Sequence, residues 1–200
     1  MARSPQSAAR TAPDPVGAYD SGRSPAASLL LSFRPHQWTK NLIVFAGLIF
    51  GEQLLDAGAA LRSLAAFGVF CGLSSVVYVF NDLRDREADR LHPTKKLRPI
   101  ASGAVSPGAA AIAAVVVGLV AMSGAAWLGP RFAALAAGYL VLMVGYTLAL
   151  KHMVILDALT IALGFVVRAA AGALAIAVPI SHWLLLLALL LALFLALSKR

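Results

Sequence analysis

The chain has 200 residues, of which 60% are hydrophobic and only 13% charged, with a formal net charge of +8. One soluble core of this size cannot hide so much apolar surface, so an ordinary globular domain is excluded and an all-α, polytopic membrane bundle is expected. Nucleic acid is excluded as a partner, because the bases sit at the ends of apolar runs and aromatic residues do not interleave with them.

Residues 1–27 are rich in Pro, Ser, Ala and Arg and contain no apolar centre. They are expected to form a disordered cytoplasmic tail rather than a secretory signal. Residues 29–33 read as a short interfacial helix broken at Arg34-Pro35. A first spanning helix is predicted over 37–54, with Trp38 as an interface anchor and Lys40 and Asn41 in its first turns. A second is predicted over 61–82. Gly47-xxx-Gly51 and Gly68-xxx-Gly72 place small residues on single faces of these two helices, which permits close packing. Cys71, the single cysteine, lies in an apolar run and reads as a small buried hydrophobe. The four histidines are too scattered to suggest a metal site.

The charged stretch from Asn81 to Ser102 interrupts the apolar pattern and organises what surrounds it. On a helix at about 100° per residue, Asp85 lies roughly 60° from Asp82 and Asp89 falls between them. Three carboxylates on one face repel one another unless a cation neutralises them. Hard divalent ions take oxygen ligands, and Mg²⁺ is typically held by one or two carboxylates together with substrate phosphate oxygens. Lys95, Lys96 and Arg98, which follow, suit phosphate recognition. A solvated loop of mixed charge is the alternative reading of the same residues.

The pattern Asn81-Asp82-x-x-Asp85-x-x-x-Asp89 resembles the first aspartate-rich motif of the UbiA superfamily of membrane prenyltransferases. The following HPTKKLRPIASG and the upstream RPHQWTKN, Arg34 to Asn41, resemble its decaprenyl-phosphate phosphoribosyltransferase branch. The resemblance implies a nine-helix bundle, of which this chain would hold six spans, apparently truncated after the sixth. Residues 28–200 would then be the N-terminal two-thirds of a UbiA-like domain, with a cytoplasmic motif loop over 81–106. It implies that Asp82, Asp85 and Asp89 are catalytic and bind Mg²⁺. It also implies that Lys40 and Asn41 face the active-site mouth, and that Asn81, Lys95 and Arg98 contact substrate.

Beyond the loop, Ser106-Pro107 reads as a helix start with Ser as cap and Pro in the first turn. The third helix is predicted to reach Trp127, Gly129-Pro130 to form a turn, and the fourth helix to run over 132–150. In the superfamily a Tyr and a basic residue end this helix and reach toward the diphosphate. Tyr146 and Lys151 fit that role with a spacing one residue longer than usual, and an interface Tyr beside a topogenic Lys fits equally. A fifth helix is predicted over 154–178. Asp157 lies in its first turn, as a favourable charge for the helix dipole or as a group that orients substrate. Arg168 lies about 16 Å deeper. An arginine inside a span costs roughly 2.5–3.5 kcal/mol on insertion scales, so it requires a partner or a wet cavity. A sixth helix, over 183–197, is leucine-rich and ends at Ser198-Lys199-Arg200. The basic pair stands where prenyltransferases carry a second acidic motif, which favours a donor with an additional phosphate.

All of the 17 Lys and Arg residues except Arg62, Arg131 and Arg168 fall on one side of this arrangement. That side is therefore cytoplasmic, with both termini on it, in a bacterial inner membrane. The function implied is Mg²⁺-dependent transfer of 5-phosphoribosyl from phosphoribosyl diphosphate to a polyprenyl (decaprenyl) phosphate. Two alternatives remain open. One is prenyl transfer from a prenyl diphosphate to an aromatic or other acceptor, and the other is a non-enzymatic transport or assembly component. The partners are membrane lipids and these substrates, with a homo-oligomer left open.

Overall fold

A computed structural model of the chain describes residues 24–149 and 153–198. The expected tail before residue 24, Lys151 and the Lys199-Arg200 pair lie outside the described residues. Every regular element among the described residues is helical. Helix α1 (Pro25–Ser32) starts on Ser24, whose Oγ accepts from the Ala27 amide at 3.3 Å. Residues 25–27, expected in the tail, thus belong to this helix, because a Ser cap followed by Pro at the first helical position nucleates it.

The first apolar segment departs from the expected α-helix. Residues Pro35–Phe45 form a 3₁₀ helix that runs into the short α2 (Ala46–Phe50). A 3₁₀ helix rises about 2.0 Å per residue, so these two pieces together reach about 30 Å, the thickness of a hydrocarbon core. It also aligns side chains three residues apart. Trp38, Asn41, Val44 and Gly47 therefore form one stripe directed into the bundle. Trp38 is held there by its Nε1, which donates to Ser75 Oγ at 3.0 Å.

The remaining helices are α3 (Ala57–Arg84), α4 (Arg86–Leu91), α5 (Pro99–Ser102), α6 (Pro107–Leu128), α7 (Pro130–Leu148), α8 (Val154–Ala175) and α9 (His182–Ser198). Four of them, α3, α6, α7 and α8, are long and apolar enough to cross a membrane, and α9 is shorter at 17 residues. The chain is an integral membrane protein. Where six spans of ordinary length are expected from the sequence, four meet the length criterion among the described residues. The caps follow the predicted chemistry. Asp56 accepts from the Ala59 amide at 2.8 Å to start α3, and Ser106 from Ala109 at 3.2 Å to start α6 ahead of Pro107.

Helix α3 packs against α6 and the 3₁₀ segment, while α8 packs against α7, α9 and the 3₁₀ segment. The core between them is centred on Phe70, Leu73, Phe132 and Tyr139. Phe70 meets Phe132 and Tyr139 edge-on, at 6.0 and 5.2 Å between ring centroids. Small residues set the closest approach. A Cβ at Gly47 would lie 2.7 Å from the Ala173 backbone, and one at Gly172 would overlap the Val44 carbonyl. The seam between the first segment and α8 is therefore backbone on backbone. In the predicted second pair, Gly72 faces Ala121 of α6, whereas a Cβ at Gly68 would meet nothing within 4 Å. A second cluster, Val79, Ile100, Val105, Ala110 and Ala114, with Leu29, Phe33 and Leu83 against it, ties α1 and α5 to the ends of α3 and α6. This cluster positions the charged loop.

Candidate active site

The charged loop begins where α3 ends. Asp82 is in its last turn with only 3% exposure, and Asp85 caps the helix at φ −88° and ψ 5°. The chain restarts as α4 at Arg86 and carries Asp89, also 3% exposed. Hydrogen bonds from Asp85 N to Asn81 O at 2.9 Å and from Asp89 N to Asp85 O at 2.8 Å carry the helical register across this break. Among the described residues, no three His, Cys, Asp or Glu side chains gather closely enough to hold a metal ion. Asp82 and Asp89 do converge, with Asp85 half-buried at the break between them.

Arginine is what draws the two acids together. Arg98 Nη1 donates to Asp82 Oδ1 at 3.0 Å and to Asp89 Oδ2 at 2.6 Å. Arg34 Nη2 donates to the same Asp82 oxygen at 2.6 Å. Buried carboxylates need such partners, because an uncompensated charge at this depth is strongly destabilising. Arg98 precedes Pro99 and is held extended at φ −62° and ψ 142°, the conformation Pro imposes on its predecessor. Arg34 sits in the left-handed region at φ 52° and ψ 60°, a conformation that costs a non-glycine residue about 1–2 kcal/mol. The turn between α1 and the 3₁₀ segment accepts that strain, and its arginine reaches Asp82 and lies 5.0 Å from the Tyr78 ring centroid.

A cavity of about 290 Å³ opens beside this cluster. Its walls come from four elements: Arg34 and Lys40, then Ser74, Val77, Tyr78 and Asn81 of α3, Tyr139, Met143, Tyr146 and Thr147 of α7, and Ile161, Phe165 and Arg168 of α8. Of the residues expected to bind substrate, Lys40, Asn81 and Tyr146 line it. Asp157 borders it indirectly, by accepting from the Tyr146 hydroxyl at 2.6 Å. Lys95 lies exposed in the 3₁₀ turn Lys95–Leu97 and is not in the lining.

Asn41 does not face the mouth: it has no exposed surface, and the 3₁₀ stripe turns it into the core. Its Nδ2 donates to Ser74 Oγ at 3.2 Å and lies 3.4 Å from Cys71 Sγ, while its Oδ1 accepts from Arg168 Nε at 2.7 Å. Arg168 Nη2 donates to the Tyr139 hydroxyl at 2.6 Å. The intramembrane arginine therefore has both the partners and the cavity that its position demands, and the partners are neutral. Arg34 and Tyr139 are site residues that sequence reasoning did not single out, and Tyr78, which by spacing shares a face with Asp82 and reads as packing, lines the cavity as well. The signal for Arg34 was available, as the base directly before the Pro that breaks the chain.

The UbiA prenyltransferase family profile matches residues 41–198. The decaprenyl-phosphate phosphoribosyltransferase of Mycolicibacterium smegmatis is 38% identical over 178 residues, covering 87% of this chain and 56% of that protein. That of Corynebacterium glutamicum is 38% identical over 181 residues, covering 88% and 54%. The chain thus spans a little over half the length of the curated relatives it matches. Among solved structures, a UbiA homolog from Archaeoglobus fulgidus bound to DMAPP and Mg²⁺ superposes with a TM-score of 0.72 at 21% identity, over 84% of this chain and 61% of that one. With a family match that covers most of its length and relatives at this identity, the chain belongs to the UbiA prenyltransferase family.

Proposed function

We propose that this chain carries the donor site of a membrane transferase. In this reading it moves 5-phosphoribosyl from phosphoribosyl diphosphate to a polyprenyl phosphate of the decaprenyl type, and diphosphate leaves. The observation that carries the reading is the buried pair Asp82 and Asp89 joined through Arg98 beside a polar-mouthed cavity, in a chain 38% identical to decaprenyl-phosphate phosphoribosyltransferases. Two carboxylates that converge on one nitrogen atom are an all-oxygen donor set suited to Mg²⁺ once donor phosphates complete it. Asp82 and Asp89 would hold that ion. When bound, it supplies Lewis-acid neutralisation of charge on the leaving diphosphate.

The chain's own residues do the rest. Arg98 and Arg34 already stand against the acids and provide forked donors for phosphate oxygens. Lys40 and Tyr146 on the walls and Lys95 on its loop add cationic and hydroxyl contacts, and by its place in the sequence Lys151 joins them. Asp157 fixes the Tyr146 hydroxyl. Charge that develops on the diphosphate meets donors that are already oriented, which is where electrostatic stabilisation is largest. The phosphate of the lipid acceptor attacks C1 of the ribose from the cavity, while its apolar chain stays in the bilayer. The cationic excess of the loops puts both termini on the cytoplasmic side of a bacterial plasma membrane.

The test uses membranes containing the protein, labelled phosphoribosyl diphosphate, decaprenyl phosphate and Mg²⁺. Lipid-linked phosphoribose is expected with the wild type and none with Asp82→Asn. Release of diphosphate from geranyl diphosphate instead of phosphoribosyl diphosphate would overturn the donor assignment in favour of prenyl transfer.

A further inference from the structure

The interior of α8 holds a cation that the loop chemistry does not use. Arg168 is 7% exposed, in a helix long and apolar enough to cross a membrane. A buried charge is expected to meet an opposite charge, because desolvation is otherwise uncompensated. None of the ion pairs among the described residues includes Arg168. Its hydrogen-bond partners there are neutral: Asn41 Oδ1 on Nε and the Tyr139 hydroxyl on Nη2. The rings of Tyr139 and Phe165 flank the guanidinium at 4.8 and 5.4 Å from their centroids. These contacts fix the plane of the group and leave its full charge in place.

The third nitrogen, Nη1, has none of these bonds. It lies beside Gly164, where a Cβ would stand 3.3 Å from it, and Arg168, Tyr139 and Phe165 all line the cavity. Tyr139, as acceptor from Arg168, keeps its own hydroxyl proton to donate. Two donors thus meet at the deep end of a cavity whose mouth carries Arg34 and Lys40. Asn41 is anchored in turn by Ser74, and it spans from the first segment to α8 beside the Gly47–Gly172 seam. The arrangement is rigid, cationic and short of an anion.

We propose that Arg168, with the Tyr139 hydroxyl, is an anion-binding floor of the cavity that takes a phosphate monoester. The inference rests on the functional reading above and deepens it, since the proposed reaction brings two such groups. One is the 5-phosphate of the donor, remote from its diphosphate, and the other is the phosphate of the lipid acceptor. Asn41 is a positioning residue that holds the guanidinium plane.

The test measures binding to the purified full chain in detergent with Mg²⁺. The probes are phosphoribosyl diphosphate, ribose 1-diphosphate without the 5-phosphate, and farnesyl phosphate. Wild type is compared with Arg168→Gln, Arg168→Lys and Gly164→Ala, each checked for an unfolding transition. Loss of one charged hydrogen-bonding group predicts about 10- to 100-fold weaker binding in Arg168→Gln. Weakening of phosphoribosyl diphosphate with ribose 1-diphosphate unchanged assigns the floor to the donor's 5-phosphate. Weakening of farnesyl phosphate assigns it to the acceptor. Partial recovery in Arg168→Lys, and weakening in a folded Gly164→Ala, support the same site. Wild-type affinity of a folded Arg168→Gln for all three probes overturns the floor and leaves the functional reading standing. Failure of the wild type to bind any probe overturns both.

Discussion

Replacement of Arg98 by Gln isolates the electrostatics of the loop from its chemistry. Asp82 Oδ1 and Asp89 Oδ2 lie 3.0 and 2.6 Å from one guanidinium nitrogen, so the two oxygens are no more than about 5.6 Å apart. Two negative charges at that separation repel by about 3 kcal/mol at an effective dielectric near 20. Both side chains are buried, so solvent screens them little. Asp82 keeps Arg34, but Asp89 loses the charged partner it shares with Asp82, and removal of one member of a buried pair costs about 3–5 kcal/mol. In metal-free detergent solution, Arg98→Gln should therefore lose about 3 kcal/mol of unfolding free energy, measured by circular dichroism. Millimolar Mg²⁺ should restore part of it by supplying the missing positive charge. The double variant Asp89→Asn with Arg98→Gln should recover more than half, because the repulsion disappears with the charge. If Arg98→Gln unfolds like the wild type without metal, or the double variant is no more stable than the single one, the carboxylates are not held against each other as described.

Two further perturbations test the frame around the site. Gly172→Ala places a methyl group against the Val44 carbonyl and should destabilise by about 3 kcal/mol. Gly138→Ala, where nothing lies within 4 Å of the new Cβ, should be neutral or stabilise by up to about 1 kcal/mol; equal melting behaviour of the two would contradict the seam. Arg62 donates to Leu128 O at 2.8 Å and Ala175 O at 2.6 Å, and so satisfies the carbonyl ends of α6 and α8 together. Arg62→Met should cost about 2 kcal/mol in thermal unfolding, whereas Arg131→Met, at an exposed position, should cost little.

The long helices were legible because their signals are local. Ser106-Pro107, Gly129-Pro130 and the apolar runs between them fix α6 and α7 to within a few residues. The acidic motif was legible as a motif, and so was the shared face of Asp82 and Asp89, but not the turn at Asp85. A single residue at Asp85 leaves helical dihedrals, and periodicity has no means to anticipate that. The first segment was misread for a related reason. Its apolar residues satisfy an α-helical pattern, while the close approach of Gly47 and Gly172, far apart in sequence, accompanies the 3₁₀ winding that turns Asn41 inward. Arg168 announced itself by its cost. Its partners came from two other elements, and no spacing rule connects residues 41, 139 and 168.

The seam at Gly172 has a reach beyond packing. Val44 lies three residues after Asn41, and Gly172 lies four after Arg168, so the hydrogen bond between those side chains crosses the same gap one turn away. A methyl group at residue 172 would act as a shim. It would tilt one wall from the other and draw the guanidinium off its aim, without a single atom added to the chamber. Residue 172 therefore calibrates a site it never touches, and its size should matter to ligand affinity as much as to the melting point.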